Sequence, residues 1–350
     1  MADIAERKVD HIDLATSGDV GFKHTTTLFE CVRLVHDALP ELEVDGIDLS
    51  TTVLGKRLRA PILIAGMTGG AERAQRINQE LAAIAEERGY AFGLGSQRAM
   101  HQRGEAKVTY EVRGVAPSAL VLGNLGVVQA SKMGSAEIQD LVGAVGADAL
   151  CVHLNPAMEI VQEEGDRDFR GGLDTLARLV SELGVPVIAK ETGCGLSHRV
   201  AAKLRRASVE HVDVSGAGGT SWVAVEAQRA RAEKKALGEA FWEWGVPTAA
   251  SVAWVQSHGF RTVFATGGIQ TGLDIAKAIA LGASAGGIAR AALQALERGG
   301  PAGARSFFAG VEAELRAALL LTGSADLSAL RRAPRVIVGE LKDWLAHSPG

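Results

Sequence analysis

The stretch His153-Leu-Asn-Pro-Ala-Met-Glu159 sets an imidazole, a carboxamide and a carboxylate directly after the apolar run Ala149-Leu-Cys-Val152. An imidazole exchanges a proton near neutral pH, and a carboxylate can hold a hard dication together with water and phosphate oxygens. The plainer alternatives are a hydrogen-bonded core histidine and a carboxylate serving a helix N terminus. Lys190 ends a second apolar run, Val187-Ile-Ala-Lys190. A lysine on a strand buried on both faces needs a negative partner, whether a carboxylate, a ring oxygen or an electron-rich cofactor. Two small-residue turns add anion chemistry: Ser215-Gly-Ala-Gly-Gly-Thr-Ser221 and Ala265-Thr-Gly-Gly-Ile-Gln-Thr-Gly272. Glycines let backbone N–H groups approach a phosphate, and a helix starting near Leu273 adds partial positive charge there. Gly286-Gly-Ile-Ala-Arg290 is placed to close the other side of the same site. A phosphorylated cofactor is the expectation.

These groups require a frame that delivers them to one rim. Apolar runs at 61–66, 91–95, 119–123, 149–153, 185–190, 211–214, 248–252 and 261–265 predict eight strands. Stretches with apolar residues at helical spacing lie between them, at 74–88, 136–145, 173–183, 199–206 and 272–281. Eight such pairs within about 230 residues fit an α/β fold of the (β/α)8 barrel type, with a doubly wound open sheet as the runner-up. In this reading residues 1–60 are an N-terminal extension contributing to the substrate site. Residues 61–350 form one barrel domain, and 226–243 form a charged helical insertion after the sixth strand, near the mouth.

Composition narrows the partners. A 350-residue chain with 47% hydrophobic content can bury a large core. Its formal charge of −4 gives no reason to expect nucleic acid or an acidic membrane surface. The opening residues contain no long apolar segment, so neither a signal peptide nor a membrane span is expected. Cys31, Cys151 and Cys194 are odd in number and lack metal-ligand spacing, which predicts reduced thiols in a cytoplasm.

A further set of motifs runs in order along most of the chain. It comprises Arg7-Lys-Val-Asp-His11, Met67-Thr-Gly-Gly70, Gly95-Ser-Gln-Arg-Ala99, Gly123-Asn-Leu-Gly126, His153-Leu-Asn155 with Glu159, and Gly165-Asp-Arg-Asp-Phe169. Lys190-Glu-Thr-Gly193, Gly218-Gly-Thr220, Trp244-Gly-Val-Pro-Thr248 and Gly267-Gly-Ile269 complete it. Together these resemble the type 2 isopentenyl-diphosphate isomerases, FMN-dependent (β/α)8 barrels.

The resemblance implies roles residue by residue. Met67, Thr68, Ser96 and Asn124 would meet the flavin ring, and Lys190 its N1/C2 carbonyl region. Ser215 and Thr220 would hold the ribityl chain or phosphate, and Gly267, Gly268, Ala289 and Arg290 the phosphate. Arg7, Lys8 and Arg98 would clamp the substrate diphosphate, with His11 and Asn155 supporting that site. His153 stands in the catalytic position, and Glu159 corresponds to a Mg²⁺ ligand. The implied reaction is a 1,3-proton shift over reduced FMN, turning isopentenyl into dimethylallyl diphosphate, with NAD(P)H serving only to reduce the flavin. A homo-oligomer, tetramer or octamer, is implied as well.

Two positions depart from the pattern. The family carries Gln where this chain has Met158, and commonly Arg where it has Gln270. A thioether cannot donate a hydrogen bond and has no protonation step near neutral pH, so Met158 cannot relay a proton. The alternative is therefore a related flavoenzyme with altered prenyl diphosphate chemistry, either a different substrate or a cyclisation. A non-catalytic flavin or prenyl-phosphate binding protein is a third possibility.

Overall fold

Short runs of Ile, Leu, Val and Ala without polar alternation suit strands covered on both faces, and in this chain they close a parallel barrel. The structure, a computed structural model, describes residues 4–102 and 104–347, and side chains from residue 10 onward except those of 17 and 105. Arg7 and Lys8, expected at an anion, have side chains outside that set.

The barrel strands are β1 (Ile62–Ile64), β2 (Ala91–Gly93), β3 (Leu120–Gly126) and β4 (Ala149–Leu154), then β5 (Val187–Glu191), β6 (His211–Asp213), β7 (Thr262–Ala265) and β8 (Ala285–Ile288). Each pairs in parallel with the next, and Gly286 opposite Ile62 closes the ring. The two-residue period of a strand divides the core. Leu63, Ala65, Leu122, Cys151, Ile188 and Phe264 fill the interior, while Ile62, Ile64, Phe92, Val121 and Val263 pack with the helices outside. An antiparallel hairpin, Thr51–Val53 with Lys56–Leu58, adds Val53 and Leu58 to the inner cluster. Lys56 reaches the carbonyls of Ser118 and Ala119 just before β3, which puts this hairpin at the floor of the barrel.

The sequence expectation fails at one strand. Residues 248–252 begin a helix instead of forming the seventh strand, and the eighth strand lies where turn glycines were read. The helix covers residues Thr248 to Ser257, and nearly all of it is buried. A segment apolar on every side shows no helical period, so a short window of it is indistinguishable from a buried strand. Conversely, Gly286 and Gly287 hide β8, because glycine is a poor strand former. Packing demands them: a Cβ on Gly286 would lie 2.6 Å from Ile275 Cγ1, and one on Gly287 2.3 Å from Thr266 Cγ2. The 265–272 turn therefore follows β7, and Ala289 and Arg290 follow β8.

The helices that concern the mouth are α1 (Ile4–Ser17), α2 (Pro156–Val161), α3 (Trp222–Arg229), α4 (Ala232–Ala240) and α5 (Thr248–Ser257), with α6 (Gly272–Ala280) behind β7. The expected insertion is thus two helices, α3 and α4. The N-terminal stretch is not a detached tail: Val32–Leu34 pairs antiparallel with Arg335–Ile337, and Gly21 bridges to Thr220. Among the described residues no helix is long and apolar enough to cross a membrane.

Candidate active site

A cavity of about 540 Å³ opens at the carboxyl ends of the strands. Every residue given a cofactor, substrate, metal or catalytic role by the resemblance, and whose side chain is described, lines it. Met67 and Thr68 enter after β1, Ser96 and Arg98 after β2, Asn124 from β3, and His153, Asn155, Met158 and Glu159 from β4 and α2. Lys190 comes from β5, Ser215 and Thr220 from the turn after β6, Gly267 and Gly268 from the turn after β7, and Ala289 and Arg290 from the end of β8. His11 of α1 completes the set across the mouth.

The partner demanded by Lys190 is Asp213, 2.7 Å away on the neighbouring strand. Asp213 also accepts the Thr266 hydroxyl and, at 3.3 Å, the backbone N–H of Ser215. Asp213 and Thr266 were missed in the sequence reading; Asp213 follows Glu210-His-Val212 and so ends no apolar run, unlike Lys190. The pair costs desolvation and recovers it only through this full complement of bonds.

His153 Nδ1 lies 2.8 Å from Asn124 Oδ1. The Asn124 amide is oriented by its own donation to Leu94 O, at 3.1 Å, so Oδ1 accepts and Nδ1 carries the proton. Nε2 is then the basic nitrogen. Gln97, a third missed residue, braces this arrangement, its Oε1 accepting from Asn124 N at 3.0 Å.

Glu159 is buried and held at both oxygens: Asn155 Nδ2 donates to Oε1 at 2.8 Å and Asp166 N to Oε2 at 2.7 Å. Arg167 bonds the Glu159 carbonyl and, at 2.8 Å, that of Gln162, fixing the 162–167 turn against α2. Glu191, beside Lys190, accepts the backbone N–H groups of Thr192, Gly193, Cys194 and Gly195 at one carboxylate oxygen. Burial pushes its pKa up to about 7 against the pull of those four donors.

Two features fit a phosphorylated flavin. Backbone walls the turns after β6 and β7 so closely that a Cβ on Gly219 would lie 2.3 Å from Gly268 N, and one on Gly267 2.1 Å from Gly216 O. Peptide groups, not side chains, thus form the cradle, as phosphate binding requires. The Thr68 hydroxyl is buried on the wall without a partner, and so is Arg98 Nε. Buried polar groups are normally paired, so these two suit contact with a ligand.

Arg290, on the cavity wall, also holds the N-terminal segment. Its Nε donates to Ala15 O at 2.9 Å and its Nη2 to Gly18 O at 2.6 Å, so it secures the N-terminal segment over the rim. His11 Nε2 is 2.8 Å from Glu226 Oε1 and edge-on to Trp222, with 5.4 Å between ring centroids. Arg229 joins Glu226 to Asp10, at 3.1 and 3.0 Å. The insertion is therefore the seat of α1, a role its charge did not reveal in the sequence.

Comparison with known proteins agrees with this geometry. The FMN-dependent dehydrogenase family model matches residues 2–107 and 150–336. An isopentenyl-diphosphate delta-isomerase from Synechococcus sp. is 47% identical over 332 residues, covering 94% of this chain and 95% of that protein. Proteins of the same name from Methanosarcina acetivorans and Pyrococcus abyssi are 44% and 42% identical, covering 96% and 97% of this chain and 92% and 94% of their own. In fold, a mandelate oxidase with (S)-2-phenylpropionate aligns at a TM-score of 0.62 and 18% identity, covering 96% of this chain and 99% of that one. A mandelate oxidase variant with benzaldehyde aligns at 0.65, again at 18% identity and covering 94% of each chain.

Proposed function

The chain belongs to the isopentenyl-diphosphate delta-isomerase family, on the FMN-dependent dehydrogenase fold, and from that premise we propose that it converts isopentenyl diphosphate into dimethylallyl diphosphate over reduced FMN. The observation that carries this reading is the convergence on one cavity of a buried lysine, a peptide-walled phosphate cradle and, elsewhere on the same lining, His11, Arg98, Asn155 and Glu159. The first two suit a flavin, the third an anionic substrate.

Thr68, Ser96, Asn124 and Lys190 would meet the flavin ring, and the glycine turns with Ser215 and Thr220 its ribityl phosphate. When bound, reduced FMN supplies an electron-rich surface for cationic character in the hydrocarbon and a nitrogen able to exchange a proton. The protein's own part is orientation and proton handling. His153 is held in one tautomer by Asn124, so its Nε2 can take up or hold a proton beside the alkene. Met158 cannot do so, and its polarizable sulfur suits contact with the isoprenoid chain. Arg98, with Arg7 and Lys8 of the N-terminal segment, would neutralise the diphosphate, and His11 would support that site.

Glu159 would hold Mg²⁺. Each of its oxygens keeps a lone pair beyond the bond it accepts. Among the described residues no group of three or more His, Cys, Asp or Glu could hold a metal, so substrate phosphates and water would supply the other ligands, as Mg²⁺ commonly requires. NAD(P)H would serve as the external reductant, since the isomerisation has no net redox change. A cytoplasmic tetramer or octamer belongs to the same proposal. The three free thiols, Cys31, Cys151 and Cys194, support a reducing setting.

The test is to incubate anaerobically reduced, FMN-loaded protein with isopentenyl diphosphate and Mg²⁺. Dimethylallyl diphosphate as product supports the proposal. A different prenyl product would transfer the chain to the altered-chemistry reading, and binding without turnover would remove the enzymatic one.

A further inference from the structure

Helix α2 and the residue at each of its ends present four side chains to the cavity: Asn155, Met158, Glu159 and Gln162. Their spacing, i, i+3, i+4 and i+7, defines one helical face. Asn155 and Glu159 satisfy each other at 2.8 Å. Gln162 has no such arrangement. Its backbone is fully engaged, N–H to Met158 O at 3.1 Å and carbonyl to Arg167. Its side-chain amide has no hydrogen-bond partner among the described residues, although Gln162 is only 6% exposed. Neither amide atom is sealed from the cavity that Gln162 lines, so the group stands open to a ligand there.

Resting on the function proposed above, we propose that Gln162 is a substrate-contacting residue that fixes which way round the prenyl diphosphate lies. Its amide N–H donates to an oxygen of the diphosphate head, while Met158 takes the hydrocarbon tail. The argument is one of complementarity. A C5 hydrocarbon offers no acceptor and would leave the amide unpaired, whereas a diphosphate is all acceptor. The thioether of Met158 has the opposite preference. The two side chains sit one helical turn apart, about 5 Å along the axis. Met158 is the nearer to β4 and the barrel, and Gln162 lies farther out, beyond Glu159. A substrate read by both would point its tail toward the flavin side of the cavity and its head toward the carboxylate expected to hold Mg²⁺. Reversal would set the hydrocarbon against the amide and the charged head against the thioether.

The experiment uses FMN-loaded full-length protein and isopentyl diphosphate, the saturated C5 diphosphate that cannot isomerise, titrated calorimetrically in the presence of Mg²⁺. Gln162→Leu should weaken binding by about tenfold or more, the scale of one hydrogen bond to a charged group. Gln162→Glu should weaken it further by adding an anion beside the head. In turnover, both should raise KM more than they lower kcat, with flavin content unchanged. Gln162→Asn keeps the amide on a shorter stem and separates recognition from packing. It should retain more affinity than Gln162→Leu, and an equal loss in the two would overturn the assignment. Wild-type affinity in Gln162→Leu would overturn it too, while leaving the proposed reaction standing. Failure of the wild-type protein to bind isopentyl diphosphate would overturn the reaction, and this assignment with it.

Discussion

Lys190 and Asp213 occupy directly opposed register positions on β5 and β6, with 2.7 Å between ammonium and carboxylate; Asp213 is buried, and Lys190 is nearly so on the cavity wall. The pairing makes their substitutions strongly non-additive. Asp213→Leu leaves an uncompensated buried ammonium and should cost about 3–5 kcal/mol, whereas the double change Lys190→Met with Asp213→Leu should cost far less. Urea denaturation of the flavin-free proteins measures both. The double variant should fold well and still bind FMN poorly, because the charge meeting the ring is gone. Additive losses across the two positions would contradict the coupling.

The His153–Asn124 bond leads to a second expectation. Asn124→Ala removes the acceptor that selects the Nδ1–H tautomer, so the imidazole loses both its orientation and its basic Nε2. His153→Ala should lower kcat by about 10²–10⁴, the usual span for a general acid or base. Asn124→Ala should lower it in the same direction by a smaller factor, with KM little changed. Steady-state kinetics on reduced enzyme decides the order. A larger effect from Asn124→Ala than from His153→Ala would show that Asn124 acts directly on the ligand.

Much of this architecture is legible in the chain because each strand ends in a change of character. His153, Lys190 and the 215–221 glycines are all polar or small residues at the end of an apolar run, and the cavity gathers them as the barrel rule requires. The failures have a common cause. The helix beginning at Thr248 is buried throughout its first five residues, and β8 is built on two glycines, so neither shows the periodicity or composition of its element there. Asp213 sits in the alternating run Glu210-His-Val-Asp-Val214, and its pairing with Lys190 depends on strand register, which a single sequence does not disclose. Gln162 gave no signal, since its distinction is an unanswered amide within a cavity. The insertion likewise advertises charge but not its partner: Glu226 meets His11 across more than two hundred residues of chain.

Glu191 gives the fold a pH dependence of definite sign. Burial raises its carboxyl from the usual 4.5 to about 7 in the native protein. A group whose native pKa is raised contributes stability that is complete below the unfolded pKa and lost as pH rises through the native one. Relative to Glu191→Gln, which does not titrate, the wild-type protein should therefore lose stability between about pH 4.5 and 7 and be flat above about pH 8, by roughly 3 kcal/mol in all. Paired urea midpoints across that range measure it. A difference that grows with pH would mean that the four backbone donors outweigh burial.

Glu226 is the point at which the insertion holds the N-terminal helix, through His11 at 2.8 Å and, by way of Arg229, Asp10. Glu226 is only 2% exposed, so Glu226→Ala removes a buried carboxylate that His11 and Arg229 share and leaves Arg229 a single acidic partner. α1 should then detach more often than the barrel unfolds, because local opening follows local contacts. Limited proteolysis should cut the first twenty or so residues faster in Glu226→Ala, at a flavin content equal to wild type. KM for isopentenyl diphosphate should rise with kcat less affected, since α1 brings His11 to the cavity but contributes nothing to β1–β8. Unchanged cleavage together with an unchanged KM would show that the other anchors of the segment, Arg290 to Ala15 and Gly18, Gln294 to Thr16 and Arg73 to Asp13 among them, are sufficient to hold it.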